Sequence, residues 1–241
     1  MVCHVTDNGS LPVVIVMLTQ FTEAGREKCC YYYPYKTSGI KTYTTSIDGL
    51  IQIKNLSRAE FESLGSVRTE LNLSWGSVEP EQATVLERNI SHYQYLAWPD
   101  FLIPEDSDRE RLLRLVRQVH QESSDTTQIV HCSAGVGRTG VFIALGWLLQ
   151  ELDEGSLDDV PDDRDPIVEV VDNLKQQRRM MVQGTAQFEF LYEAMREEWK
   201  TRWLMRSALE KALQAKKNEL QSALNATVIN GGNSFKAASG A

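Results

Sequence analysis

Residues 129–150, IVHCSAGVGRTGVFIALGWLLQ, decide how this chain is read. An apolar strand ends on Cys132, glycines fill the turn that follows, and an apolar helix starts directly after Arg138. A helix that starts this way directs its unpaired N–H groups back toward the turn. Successive amides of such a loop converge on one point, which is how a backbone nest holds a phosphate.

The side chains fit the same purpose. Gly135 and Gly137 permit positive φ and a close backbone approach, and Arg138 adds a planar fork for two phosphate oxygens. A cysteine at the floor of this loop, Cys132, has its pKa lowered by the helix end, the amides and the arginine, so it is a thiolate nucleophile at neutral pH. His131 orients the loop, and the Thr139 hydroxyl is placed to hydrogen-bond the thiolate. The plainer reading is a buried strand-end cysteine beside an ordinary turn. Cys-X5-Arg between a strand and a helix outweighs it.

Outward from this stretch, the first half of the chain is mostly strand. VVIVML (13–18) reads as a buried strand, while KTYTTSIDGLIQIKNLS, SVRTELNLSW and VLERNISHYQYLAW alternate as half-exposed strands do. After Pro104, Ser107 or Asp108 can cap a helix whose apolar positions are Leu112, Leu113, Leu115, Val116 and Val119. TTQIVHC is a short strand. Helices follow from about Gly140 to Gln150, from about Pro166 to Arg178 and from near Thr185, the last with Phe188, Leu191, Met195 and Trp199 on one stripe. Leu204, Leu209, Leu213, Leu220 and Leu224 continue it, and the small, polar residues 225–241 read as disordered. The acidic insertion DEGSLDDVPDDRD (153–165) reads as a solvated loop between helices.

The setting follows from composition. With 241 residues, 42% hydrophobic and 24% charged, the chain suits one globular domain with a tail. The N-terminus lacks the basic start and apolar run of a targeting signal, and the longest aliphatic run near it, Val13 to Leu18, is far too short to span a bilayer, so a soluble cytoplasmic protein is expected. Cys3, Cys29, Cys30 and Cys132 have no metal or disulfide spacing, in keeping with a reducing compartment. Asn55, Asn72, Asn89 and Asn225 open glycosylation sequons that read as unused. A net charge of −8 argues against nucleic acid or an anionic membrane as partner, so phosphate must be held by local geometry.

The run His131-Cys132-Ser133-Ala134-Gly135-Val136-Gly137-Arg138-Thr139-Gly140 resembles the signature loop of the classical, non-receptor type protein tyrosine phosphatases. That resemblance implies an α/β fold, a twisted mixed β-sheet flanked by helices, with the site at a strand-to-helix turn. It implies hydrolysis of phosphotyrosine in proteins through a cysteinyl-phosphate, with no metal or cofactor and a monomeric chain. Cys132 is then the nucleophile, and Ser133, Ala134, Gly135, Val136, Gly137 and Arg138 bind the phosphate. WPDFLIP resembles the family's mobile acid loop, with Asp100 as general acid, Trp98 and Pro99 as hinge and stiffener, and Phe101 beside the substrate. RRMMVQGTAQFEF resembles its glutamine loop, with Gln183 positioning water and Gln187 assisting. TEAGREKCCYYYP resembles the segment in which Glu23 steadies the arginine and Lys28 meets the acid loop.

The match spans roughly residues 11–200 and departs in places. Leu102 stands where a glycine is usual, Tyr33 where a tryptophan is common, and Gly184 where a threonine is frequent. Met180 is bulky at a position that often lines the mouth of the pocket. The family's N-terminal segment, with its substrate-stacking tyrosine in a Lys-Asn-Arg-Tyr-type loop, has no counterpart in the sequence. The expected organisation is therefore a partial catalytic domain over 1–200, a helical extension over 201–224 and a tail over 225–241. A catalytically impaired phosphotyrosine-binding module or fragment, and a dual-specificity phosphatase, are the alternative functions.

Overall fold

A computed structural model describes residues 13–44, 49–77, 86–98, 102–123 and 127–236, with side chains as far as Asn225. Val13–Met17 forms the parallel strand β1, in which buried Val14 and Val16 alternate with half-buried Val13 and Ile15. Such alternation sends neighbouring side chains to opposite faces of a sheet. Thr22–Glu23 and Arg26–Glu27 form a short hairpin, β2 and β3. Its two turn residues, Ala24 and Gly25, both have positive φ, as a tight two-residue hairpin requires.

The alternating segments become β4 (Ile40–Thr44), β5 (Gly49–Phe61), β6 (Ser66–Ser77) and β7 (Leu86–Tyr95), and TTQIVHC supplies β8 (Gln128–His131). Six of these strands form one mixed sheet in the order β4-β5-β6-β7-β1-β8. β4 to β7 pair antiparallel, whereas β1 lies parallel to both β7 and β8. Met17, Phe21, Tyr33, Leu71 and Ile90 form a buried cluster, and Tyr32, Cys29 and Ile15 pack against it. Asn55, at a bulge in β5, is fully buried and donates to the Pro34 and Tyr35 carbonyls.

α1 (Asp106–Glu122) buries all five apolar positions read from the sequence. Its N-cap is the extended Glu105, with no side-chain cap, instead of Ser107 or Asp108. Asp108 is occupied by an ion pair with Arg111 at 2.9 Å. α2 (Gly137–Glu154) starts one turn earlier than expected, because Gly137, Arg138 and Thr139 are already helical. α3 (Pro166–Gln177) is capped by Asp165, which accepts from the Ile167 and Val168 amides at 3.0 and 3.1 Å. The acidic residues Asp158, Asp159, Asp162 and Asp163 between α2 and α3 are exposed.

α4 (Thr185–Lys236) buries Gln187, Phe190, Leu191, Ala194 and Met195, while Phe188 is only half-buried. It runs on past Asn225, since extending an existing helix adds one bond per residue without a new nucleus. The chain divides into two compact units, residues 1–194 and 195–241. Among the described residues no helix is long and apolar enough to cross a membrane.

Candidate active site

β8 and α2 place the signature loop at the parallel side of the sheet. Gly135 has φ +69°, a conformation that side-chain-bearing residues rarely adopt, and it turns the chain into α2. Gly140 serves a different purpose: a Cβ there would lie 2.4 Å from the Val182 amide nitrogen, so its hydrogen admits the 181–182 backbone against the helix. The contact is fixed by the Val182 amide donating to the Val136 carbonyl at 3.2 Å.

Cys132 is 7% exposed. Burial, the largest single influence, opposes its ionisation. The Thr139 hydroxyl, 3.3 Å from the sulfur, the Thr139 and Gly135 amides and the Arg138 charge outweigh it and hold the thiol below its ordinary value. Arg138 is buried and donates to both Glu23 oxygens, at 2.7 and 3.2 Å, and to the Trp98 carbonyl at 3.1 Å. Glu23 is itself held by the Thr19 hydroxyl at 2.8 Å and the Gln20 amide at 3.1 Å. Burial raises its pKa, but these donors and Arg138 prevail and leave it lowered.

The other loops gather around this centre. Gln187 is buried, and its side-chain oxygen accepts from the Gln183 and Gly184 amides at 3.1 and 3.4 Å. Gln183 itself is exposed. Met180 and Val182 both have positive φ, and Met180 is 57% exposed. Trp98 is buried against Tyr95 and Phe190, and its indole N–H closes a ring onto the Leu102 carbonyl at 2.9 Å. Pro99, Asp100 and Phe101 lie outside the described residues. Lys28 is half-buried, with its amide on the Phe21 carbonyl at 2.8 Å. Ser133 and Ala134 are exposed and Val136 half-buried along the loop.

Arg178 lies in the glutamine-loop motif read from the sequence, but its contact does not follow from that motif, and the sequence assigns no role to two further participants, Tyr32 and His92. Arg178 donates to the Ala134 carbonyl at 3.1 Å and so braces the loop from outside. Tyr32 lies beside β1, and its phenol meets His92 Nε2 at 2.5 Å and His131 Nε2 at 2.8 Å. His131 Nδ1 in turn faces the Cys132 carbonyl at 3.2 Å. Tyr32 belongs to a segment the sequence does single out; His92 sits in an alternating strand, where nothing marks it.

The site is thus a strand-end thiol of lowered pKa under a glycine-turned loop, with a buried arginine fixed by a carboxylate. The family model for protein-tyrosine phosphatase matches residues 10–197, and the chain belongs to that family. It is 33% identical over 184 residues to Tyrosine-protein phosphatase 69D of Drosophila melanogaster, covering 76% of this chain and 11% of that protein. It is 32% identical over 195 residues to Tyrosine-protein phosphatase 1 of Schizosaccharomyces pombe, covering 78% and 33% respectively. The crystal structure of the Trypanosoma cruzi protein tyrosine phosphatase TcPTP1 superposes with a TM-score of 0.63 at 27% identity, covering 77% of this chain and 59% of that one. The chain thus spans a third or less of these two curated relatives.

Proposed function

We propose that the chain hydrolyses phosphotyrosine in proteins through a cysteinyl-phosphate. The observation that carries this reading is the lowered pKa of Cys132 beneath a loop whose arginine is fixed by Glu23. In the first step the Cys132 sulfur attacks phosphorus, while the loop amides and Arg138 hold the three equatorial oxygens. Asp100 gives its proton to the departing tyrosine oxygen, so the phenol leaves neutral. In the second step water, positioned by Gln183 with Gln187 behind it, attacks phosphorus. Asp100 takes the water's proton, and the thiolate and inorganic phosphate are released. The reading extends to a cytoplasmic monomer that needs no metal, since a thiolate nucleophile must remain reduced.

The test is phosphate release from a phosphotyrosine peptide beside a phosphoserine peptide, in chelator and reductant. Release from phosphotyrosine alone, abolished by Cys132→Ser, is expected. Tight binding without release identifies a phosphotyrosine-binding module instead, and equal release from both peptides identifies a dual-specificity enzyme.

A further inference from the structure

His92 is fully buried on β7, far from any role that the reaction assigns to it, yet it ends a chain of contacts that reaches the nucleophile. β7 and β8 flank β1, with Ile15 level with His92 on one side and Met17 level with His131 on the other. The Tyr32 phenol connects the two histidines past β1, also lying 3.9 Å from the Met17 sulfur.

The donors and acceptors in this chain have one consistent assignment. The Cys132 carbonyl can only accept, so His131 must carry its proton on Nδ1. A neutral His131 then has a lone pair on Nε2, which takes the single Tyr32 hydroxyl proton in preference to the weak thioether acceptor. The phenol oxygen is thereby left to accept, and His92 must donate from Nε2. His92 Nδ1 becomes the acceptor end of the chain; it is buried without a partner, a smaller cost than an unpaired N–H. Burial disfavours the charged form of both rings, in keeping with the assignment, pushing His92 down to about 3 and His131 below its ordinary value.

We propose that His92 is a positioning residue for the nucleophile, acting through Tyr32 and His131 on the peptide of Cys132. Its N–H polarises the phenol, which strengthens the bond to His131 and holds the Cys132 carbonyl on the imidazole. Held there, the carbonyl lone pairs stay off the sulfur, and the sulfur meets N–H donors instead. The inference rests on the reading of Cys132 as a phosphatase nucleophile. The other groups facing His92 are Tyr33, with its ring centroid 4.5 Å away, and the charge of Arg58. Burial pushes the Tyr32 and Tyr33 phenols up, away from the range of the test.

The experiment follows alkylation of Cys132 by iodoacetate against pH, read on the Cys132 peptide by mass spectrometry so that the other cysteines do not interfere. His92→Phe is expected to raise the midpoint by about half a unit. His92→Gln, whose amide can donate to the phenol, restores the wild-type profile. Tyr32→Phe raises the midpoint at least as much, and adding His92→Phe to it shifts nothing further, because His92 acts only through Tyr32. An unmoved midpoint in a His92→Phe protein that melts cooperatively overturns the proposal, as does an additive shift in the double variant. Should His92→Phe not fold, His92→Asn, too short to reach the phenol, is compared with His92→Gln in its place. Alkylation needs no turnover, so an inactive chain with the expected profile shifts overturns the phosphatase reading alone. An active chain with unmoved profiles overturns only the role of His92.

Discussion

Arg138 is 3% exposed, so the charge that would meet phosphate in the proposed reaction is kept in position by groups it cannot leave without cost. Glu23 supplies that restraint as a two-point ion pair, and Thr19 and Gln20 keep the carboxylate aimed. Glu23→Gln preserves the shape and removes the charge. A hydrogen bond between charged groups is worth about 1.5–3 kcal/mol, so kcat/KM is expected to fall about 10- to 100-fold, measured with a phosphotyrosine peptide at pH 6–7. The same substitution has a pH signature. Because the Glu23 carboxyl is held below 4.5, its stabilisation is complete above that value and is lost as pH falls through its folded pKa. The stability gap between wild type and Glu23→Gln, measured by urea denaturation, should be full at neutral pH and close in acid. A gap independent of pH would mean that Glu23 contributes packing and not charge.

At the scale of elements, α2 and α4 meet the loops around Cys132 through two glycines with opposite tolerances. A methyl group on Gly140 meets backbone at 2.4 Å, whereas one on Gly184 meets nothing within 4 Å. Gly140→Ala is expected to cost about 1–3 kcal/mol through overpacking, and to abolish most activity by pushing the Gln183 segment off the loop. Gly184 accepts from the Gln187 and Phe188 amides, and Gln187 reaches back to the Gly184 amide. This is a capping box lacking its side-chain oxygen, so Gly184→Ser should stabilise by about 0.5 kcal/mol. Thermal melts and peptide turnover of the two variants, measured together, check both expectations. The elements themselves were largely legible. A continuous apolar run marked β1, strand alternation marked β5, β6 and β7, and the helical period marked the buried face of α1. The loop residues Cys132, Arg138 and Thr139 were legible because the chemistry fixes their spacing. Tyr32 and His92 were not: Tyr32 lies in a loop with no periodicity, and a polar residue such as His92 in an alternating strand reads as solvent-facing, whereas the register across β7, β1 and β8 sets His92 on the same phenol as His131. The start of α2 was misplaced for a related reason, since glycines read as turn residues even where a helix has begun.

For the whole molecule, the excess of acidic over basic residues opposes the approach of the proposed substrate. A phosphotyrosine is a dianion at neutral pH, and the chain carries a net charge of −8, with Asp158, Asp159, Asp162 and Asp163 exposed. The buried Arg138 and the loop amides act only at contact, so the long-range field belongs to the net charge. A phosphotyrosine peptide flanked by lysines should therefore be hydrolysed more efficiently than one flanked by glutamates, by about 3- to 10-fold in kcat/KM at low salt. The Debye length shrinks from about 30 Å at 0.01 M to about 3 Å at 1 M, so the preference should fade as salt is added if it comes from the field of the whole chain. A preference that survives 0.5 M salt would instead come from direct pairing of the flanking lysines with acidic side chains beside the pocket. Better turnover of the glutamate-flanked peptide would show that a local basic surface, not the net charge, governs the approach of substrate.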